Sequence, residues 1–137
     1  MDKAVTTILL EFEKRAQKES EVMRDMDMST MQAHGDEFLL SVGPATGQLI
    51  NLLAKEMKAS TILEVGSSYG YSTVWLAEAA RETGGKVISL EVHPEKQKHA
   101  RASIEKAGLT GLVDFRLGDA QDSLSVGSGL ELTRYSL

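Results

Sequence analysis

The feature that most constrains the fold is a short apolar run that leads directly into a glycine-containing turn. Thr61 to Val65 reads Thr-Ile-Leu-Glu-Val, a β-rich run that is typical of a buried strand. A turn from Gly66 to Gly70 follows at once, and a helical pattern begins after it. A strand, a glycine-containing turn and a helix in this order predict the start of a β-α-β unit.

The same alternation continues along the chain. The spacing predicts an apolar helix over about 73–81, for which Ser72 is the expected N-cap. A second strand is predicted at 86–91, and an alternating third strand ends at Gly118-Asp119. Between them, a helix over about 94–107 has proline at its start and glycine just past its end. Strands separated by helices of this length predict an α/β fold with a parallel sheet and right-handed crossovers.

Two helices are predicted before the first strand. Residues 3–25 show the apolar spacing of an amphipathic helix, and Gly43-Pro44 opens a second helix. The apolar stripe of the second helix consists of Ala45, Leu49, Leu52, Leu53 and Met57. The predicted domain is therefore 1–122, with a helical part at 1–58 and a β-α-β-α-β core at 60–122. Residues 123–137 form a divergent tail rich in Ser and Gly.

Composition excludes several classes of protein. The 137 residues have a net charge of -5, which argues against broad binding to the phosphates of nucleic acid. The absence of cysteine excludes disulfides and zinc–cysteine sites. The apolar run from Ala4 to Leu10 is too short to span a membrane and has no signal-peptide pattern, so we expect a cytoplasmic protein. The tetrapeptide His34-Gly35-Asp36-Glu37 is read as a turn before a helix rather than a metal site, because adjacent turn residues point in different directions.

Three polar strand ends are expected to form a ligand-binding crevice. In an open parallel sheet, Glu64, Glu91 and Asp119-Ala120 would lie at one rim, where such folds bind ligands. Glycines in the first turn permit close approach of the backbone, and the helix after it points free N–H groups at the site. A carboxylate such as Glu91 can accept hydrogen bonds from both hydroxyls of a ribose. The turn lacks the Gly-x-Gly-x-x-Gly pattern and a Gly-Lys-Ser/Thr phosphate loop, which favours a nucleoside without pyrophosphate over a dinucleotide.

These residues resemble a known family. The stretch Glu-Val-Gly-x-x-x-Gly-Tyr-Ser-Thr, at 64–73, is similar to the first motif of catechol- and caffeoyl-CoA-type O-methyltransferases, which are class I enzymes dependent on S-adenosylmethionine. The resemblance extends to Ser41-Val42-Gly43-Pro44-Ala45-Thr46-Gly47-Gln48, Ile88-Ser89-Leu90-Glu91-Val92-His93-Pro94 and Gly118-Asp119-Ala120-Gln121-Asp122. It covers roughly 38–122 and implies a Rossmann-like sheet that binds S-adenosylmethionine.

The resemblance also implies roles for individual residues. Val42 and Ser72 would hold the amino-acid end of S-adenosylmethionine, with Glu64, Gly66 and Ser68 lining the loop beneath it. Glu91 would bind the ribose, and His93, Ala120 and Gln121 would lie near the adenine. The full set of expected cofactor-binding residues is Val42, Glu64, Gly66, Ser67, Ser68, Gly70, Tyr71, Ser72, Glu91, His93, Asp119, Ala120 and Gln121. We assign no catalytic or metal-binding residue to this chain.

The family pattern stops after Asp122, as if the chain were truncated after the third strand. The resemblance implies that a complete member continues, binds a divalent metal such as Mg²⁺, and methylates a small-molecule hydroxyl. The sequence after Ser123 does not resemble the family, which would fit a splice end, a shifted reading frame or a truncation. We therefore expect little or no activity, a marginally stable fold and an unpaired edge on the first strand, which invites dimerisation. The alternatives are a non-catalytic module that pairs with a full-length relative and a nicotinamide-dependent oxidoreductase.

Overall fold

The sheet has the predicted strands and direction. The computed structural model describes residues 1–39 and 41–124, with a three-stranded sheet of β1 (Thr61–Val65), β2 (Lys86–Glu91) and β3 (Val113–Leu117). The order is β1-β2-β3 and both pairings are parallel. Helices flank this sheet, which confirms the expected α/β class. The predicted tail falls outside the described residues from position 125 onward.

Six α-helices surround the strands in the described part of the chain. They are α1 (Lys3–Arg24), α2 (Met28–His34), α3 (Pro44–Glu56), α4 (Tyr71–Thr83), α5 (Pro94–Lys106) and α6 (Ala120–Leu124). The sequence did not predict α2, which begins because the Asp27 carboxylate accepts from the Thr30 N–H at 2.7 Å. The expected turn at 34–37 is the end of α2 followed by a 3₁₀ turn at Gly35–Glu37. No helix in these described segments combines the length and apolarity needed to cross a membrane.

The core lies where α4 and α5 pack on the sheet and α1 packs on these two helices. The predicted apolar side of α1 is buried at Val5, Ile8, Leu9 and Phe12. Helix α4 is buried nearly all round, as expected, because it lies between α1, α3 and the strands. The ring of Tyr71, in the first turn of α4, packs edge-to-face against the ring of Phe12 on α1, with ring centroids 5.7 Å apart. The N-terminal helix is thus part of the same core as the sheet.

Helices α3 and α4 are packed closely and run in the same direction. A Cβ added to Gly47 would lie 2.2 Å from Nε1 of Trp75, so only glycine allows the indole to sit against α3. One turn later, the Asn51 amide donates to the Trp75 carbonyl oxygen at 2.8 Å, and Lys55 pairs with Glu78 at 2.8 Å. Contacts that advance together along both helices require a parallel arrangement, which brings the two N-termini to the same end.

The expected stripe of α3 is wrong as a core face. Leu49, Leu52, Leu53 and Met57 are between 50% and 77% exposed, whereas the buried residues of α3 are Gly47, Asn51 and Ala54. The small residues face α4 because they permit the close approach. The leucines instead lie on the open side of the helix.

Strand β1 is likewise less buried than its sequence predicts. Leu63 and Val65 are 43% and 60% exposed, and Glu64 is the buried residue of the strand. The physical reason is that β1 is at the edge of the sheet, where within the described residues it pairs with β2 alone. As far as residues 1–39 and 41–124 are concerned, the outer edge of β1 is open, as expected.

Candidate functional site

The loop after β1 is held against the end of β2 by its backbone. The Gly66 and Ser67 N–H groups both donate to the Leu90 carbonyl oxygen, at 2.7 and 3.2 Å. The Gly70 N–H donates to the Ser67 carbonyl oxygen at 2.9 Å, which closes the turn before α4. The loop is thus a preformed feature of the sheet rim.

The two motif glycines serve different purposes. Gly66 has φ of +84°, and a Cβ built on it meets nothing within 4 Å. Gly70 has φ of +103°, but its Cβ would lie 2.9 Å from both Cα and Cβ of Ala100 on α5. Both positions favour glycine through their left-handed backbone. Gly66 leaves open space at the rim, whereas Gly70 allows α4 and α5 to touch.

Glu91 ends β2 with a carboxylate that the backbone already orients. It is 6% exposed, and its Oε2 accepts from the Ser68 N–H at 2.7 Å. Its Oε1 accepts from the N–H groups of Val92 and His93, both at 3.2 Å. Ser68 adopts a left-handed conformation, with φ of +49°, that aims its N–H at this carboxylate. Because a carboxylate can accept about four hydrogen bonds, Glu91 retains capacity for a ligand hydroxyl.

Glu64 is buried at the end of β1 and is held by hydroxyl groups. Its Oε1 accepts from Ser72 at 2.5 Å, and its Oε2 accepts from Thr73 and Ser89, each at 2.7 Å. The expected N-cap role of Ser72 is wrong, because Gly70 occupies that position and Ser72 lies inside α4 with its hydroxyl on Glu64. The sequence analysis did not assign Thr73 and Ser89 to this site. One sequence feature could have indicated Ser89: it is a serine within the apolar second strand, and it lies directly across from Glu64 in the register of the sheet.

Three other expected residues lie around this loop. Val42 is half exposed just before α3, and the parallel packing of α3 and α4 puts it at the same end as Ser72. Tyr71 directs its side chain into the core, where the hydroxyl donates to Glu13 at 3.0 Å. Burial raises the pKa of this phenol to about 12. Ser67 is 2% exposed, and its hydroxyl has no partner among the described residues. The side chains of Tyr71 and Ser67 therefore point away from open space.

The end of β3 joins the same rim. The Gly118 N–H donates to the Glu91 carbonyl oxygen at 2.9 Å, so the expected third strand end lies beside the second. The Asp119 carboxylate accepts from the Gln121 N–H at 2.8 Å, at the start of α6. Ala120 is half buried and Gln121 is exposed. His93 is exposed two residues after Glu91, at the start of α5. The end of β3 thus flanks Glu91 on the side away from Glu64.

The described residues do not fit a metal ion. His34 and Glu37 form an exposed pair at 3.4 Å, and no group of three or more His, Asp or Glu side chains in residues 1–39 and 41–124 is arranged to hold an ion. The Mg²⁺ that a complete relative is expected to bind thus has no site in the described part of this chain.

A separate groove of about 270 Å³ lies between α1 and α5. Ile8 and Phe12 contribute apolar surface, while Glu11 and Lys106 contribute opposite charges. It shares no residue with the expected cofactor set, and its mixed charges favour no ligand class. The candidate functional site is therefore the polar crevice at the ends of β1, β2 and β3, and not this groove.

Sequence comparisons match this chain to one family. The family model described as O-methyltransferase matches residues 13–128. A catechol O-methyltransferase from Niastella koreensis is 42% identical over 85 residues, which are 62% of this chain and 38% of that protein. A catechol O-methyltransferase from Mycobacterium tuberculosis is 34% identical over 90 residues, which are 66% of this chain and 40% of that protein.

Solved structures agree in fold. The O-methyltransferase TomG from Streptomyces achromogenes, in complex with SAM, superposes with a TM-score of 0.66 and 26% identity, over 94% of this chain and 49% of that chain. An O-methyltransferase from Bacillus cereus, in complex with SAH, gives a TM-score of 0.62 and 35% identity, over 83% of this chain and 55% of that chain. The chain thus spans about half or less of the length of these relatives. It belongs to the O-methyltransferase family.

Proposed function

We propose that this chain binds S-adenosylmethionine in the crevice between the loop after β1 and the ends of β2 and β3. The observation that carries the proposal is the Glu91 carboxylate, which three backbone N–H groups orient beside the open space at Gly66. Two neighbouring ribose hydroxyls are donors that suit such a carboxylate. SAM- and SAH-bound relatives of the same fold support this ligand class.

The two ends of the nucleoside would lie on opposite sides of Glu91. The adenine would lie toward His93, Ala120 and Gln121, which flank β2 and β3. The amino-acid end would extend toward Val42, Glu64 and Ser72, at the N-terminal ends of α3 and α4. Free N–H groups of the first turn of α4 suit the carboxylate of that end. Ser68 would line the crevice through its backbone.

Calorimetric titration with S-adenosylhomocysteine and with NAD tests the proposal. We expect S-adenosylhomocysteine to bind and NAD not to bind, since the loop lacks a pyrophosphate cradle. Glu91→Gln should weaken binding by roughly 10- to 100-fold, because hydrogen bonds to a charged group contribute about 1.5–3 kcal/mol. Glu95→Gln is the matched control, as Glu95 is exposed on the first turn of α5. Binding of NAD alone would overturn the proposal.

The complete parent protein is proposed to transfer the methyl group of the sulfonium to a small-molecule hydroxyl. Positioning of the two reactants would supply much of the rate. The described residues contribute the cofactor side of that reaction, and they offer neither a metal site nor an identified base. We therefore propose that this chain by itself has little or no methyltransferase activity. Turnover with a catechol at a rate comparable to a full-length relative would contradict this.

A second candidate function is pairing with a full-length relative. The observation that favours it is exposed apolar surface on two elements, Leu49, Leu52, Leu53 and Met57 on α3 and Leu63 and Val65 on β1, whose outer edge is open within the described residues. Exposed apolar side chains next to unpaired strand groups are typical of a protein interface. The chain also spans less than half of its curated relatives, so a relative has further structure that could cover this surface.

Size-exclusion chromatography of an equimolar mixture with a full-length relative tests the pairing. We expect a shift to the mass of a complex, and Leu53→Glu should abolish it. Leu10→Glu is the matched control, because Leu10 is similarly exposed at 49% but lies on α1. A monomeric chain with a cooperative melt at high temperature, and no shift on mixing, would remove this candidate.

A further inference from the structure

The side chain of Tyr69, in the loop after β1, lies against α1 and α5. Cζ of Arg15 on α1 is 4.3 Å from the centroid of the Tyr69 ring, and Nζ of Lys96 on α5 is 5.6 Å from it. The imidazole of His99 packs edge-to-face against the same ring, with centroids 5.4 Å apart. Cations within about 6 Å of an aromatic ring are attracted to its face. Two helices therefore hold a residue that is not among the expected cofactor-binding residues.

Hydrogen bonds also hold Tyr69, at its backbone and at its hydroxyl. Nδ1 of His99 lies 3.2 Å from the Tyr69 carbonyl oxygen, which can only accept, so this nitrogen is the donor. The Tyr69 hydroxyl donates to the Glu37 carbonyl oxygen at 3.3 Å, and Nη2 of Arg15 donates to the same oxygen at 3.1 Å. The ring, the hydroxyl and the backbone of Tyr69 are thus all fixed.

Arg15 is itself oriented by a carboxylate on its own helix. Its Nε donates to Oε1 of Glu19 at 2.7 Å, and Oε2 of Glu19 accepts from the Leu39 N–H at 2.7 Å. A planar guanidinium can donate at its edge while its face lies on an aromatic ring. Helix α1 therefore presents a cation of fixed orientation to the loop after β1.

The residue before Tyr69 is the one that orients Glu91. Ser68 has φ of +49°, and its N–H donates to Oε2 of Glu91 at 2.7 Å. A left-handed backbone is disfavoured for serine, and such a conformation persists only where its surroundings hold it. Because Ser68 and Tyr69 share a rigid peptide plane, the contacts of Tyr69 restrict the rotation of Ser68.

We propose that Arg15 and Tyr69 are positioning residues for the cofactor, which keep Ser68 in the conformation that aims its N–H at Glu91. This role rests on the proposed binding of S-adenosylmethionine. It makes α1 a determinant of cofactor affinity, although no residue of α1 is expected to touch the ligand. When the contact is lost, fewer molecules have the loop in its binding conformation, and the apparent affinity falls in proportion.

The first test needs no ligand. Hydrogen exchange of the Ser68 amide, followed by NMR in the full chain, reports its hydrogen bond to Glu91. We expect Arg15→Gln to speed this exchange about fivefold. Arg101→Gln is the matched control, because Arg101 lies 5.0 Å from the ring centroid of Phe115 and donates to its carbonyl oxygen at 3.3 Å. It removes the same kinds of contact elsewhere and should change the exchange less than about twofold.

The second test is calorimetric titration with S-adenosylhomocysteine. Arg15→Gln and Tyr69→Leu should each weaken binding about fivefold, whereas Tyr69→Phe retains the ring and should stay within about twofold of wild type. The double variant should bind about as weakly as either single variant, because both remove one contact. Should Tyr69→Leu fail to fold in a thermal melt, Arg15→Gln and Tyr69→Phe decide.

A third comparison asks whether the effect passes through Glu91. In a Glu91→Gln background, Arg15→Gln should weaken S-adenosylhomocysteine binding further by less than about twofold. The reason is that the charge that Ser68 orients has already been removed. A merely structural role of Arg15 would instead give the same fivefold loss in both backgrounds.

The outcomes separate this role from the proposed function. Unchanged exchange of the Ser68 amide in Arg15→Gln would overturn the positioning role, whether or not the ligand binds. Equal weakening by Arg15→Gln and Arg101→Gln, or independent losses at Arg15 and Glu91, would overturn it as well. Normal binding by both Arg15→Gln and Tyr69→Leu would remove α1 as a determinant of affinity while leaving cofactor binding intact. A wild type that does not bind S-adenosylhomocysteine would refute the proposed function, and the role in cofactor binding with it.

Discussion

Alanine at Gly70 places a methyl group where the backbone of α5 already lies. The added Cβ would be 2.9 Å from both Cα and Cβ of Ala100, neither of which can rotate away, and φ at Gly70 is +103°. Left-handed backbone disfavours an L side chain by about 1–2 kcal/mol. Overpacking against rigid neighbours adds about 1–3 kcal/mol. We expect Gly70→Ala to lower the free energy of unfolding by about 2–5 kcal/mol.

Two other glycines separate these contributions. Gly84 has φ of +72° and open space, so Gly84→Ala should lose only the backbone part, about 1–2 kcal/mol. Gly111 has neither a positive φ nor a neighbour within 4 Å, and its alanine variant should lie within about 0.5 kcal/mol of wild type. Gly66→Ala should resemble Gly84→Ala in stability, since its φ is +84° with open space, yet it should weaken S-adenosylhomocysteine binding about tenfold.

Thermal unfolding followed by circular dichroism measures the series. At roughly 4 °C per kcal/mol for a chain of this size, Gly70→Ala should melt about 8–20 °C below wild type. Gly84→Ala should melt between these two proteins. If Gly70→Ala melts together with Gly84→Ala, the close contact between α4 and α5 does not exist. If Gly66→Ala binds as tightly as wild type, the open space at Gly66 is not part of the ligand site.

Three predictions concern other parts of the molecule. Burial alone would raise the pKa of Glu78, but hydrogen bonds from Lys55 and Asn51 outweigh it and lower the pKa below the ordinary 4.5. The stability advantage over Glu78→Gln should therefore be complete above about pH 5 and shrink as pH falls below 4.5, as measured by urea unfolding. Because burial raises the pKa of Tyr71 to about 12, wild type should lose stability between pH 10 and 12, and Tyr71→Phe should lose less in alkaline denaturation. Ser68→Gly should be as stable as wild type or up to about 1 kcal/mol more stable in urea, since it relieves the left-handed serine. A loss of more than about 1 kcal/mol would instead assign the Ser68 side chain a structural role.

Much of the architecture was predictable because it depends on local pattern. The three strands, the proline and glycine at the ends of α5, and the apolar side of α1 all follow from residues that are close in sequence. The convergence of Glu64 and Glu91 at one rim was predictable too, since parallel strands share one carboxyl edge. By contrast, α2 was missed, because its seven residues are too few to show a clear periodicity.

Burial on α3 shows where local pattern is insufficient. The leucine stripe predicts a core face, yet the helix buries Gly47, Asn51 and Ala54. Which side of a helix is buried depends on its neighbour, and here the indole of Trp75 demands the smallest residue of α3. Apolar periodicity reports which side could be buried and carries no information about the partner.

The sequence by itself determined the order of strands and helices, the family, and the group of residues at the end of β1. Only the tertiary structure decided that Gly70 serves helix packing, that Tyr71 faces the core, and that Thr73 and Ser89 hold Glu64. The physical reason is that hydrogen bonds and steric contacts act over a few ångströms between residues that lie far apart in the sequence, such as Glu13 and Tyr71, which are 58 positions apart. Periodicity fixes the local conformation of each segment, whereas the sheet register and the packing of α4 decide which side chains meet.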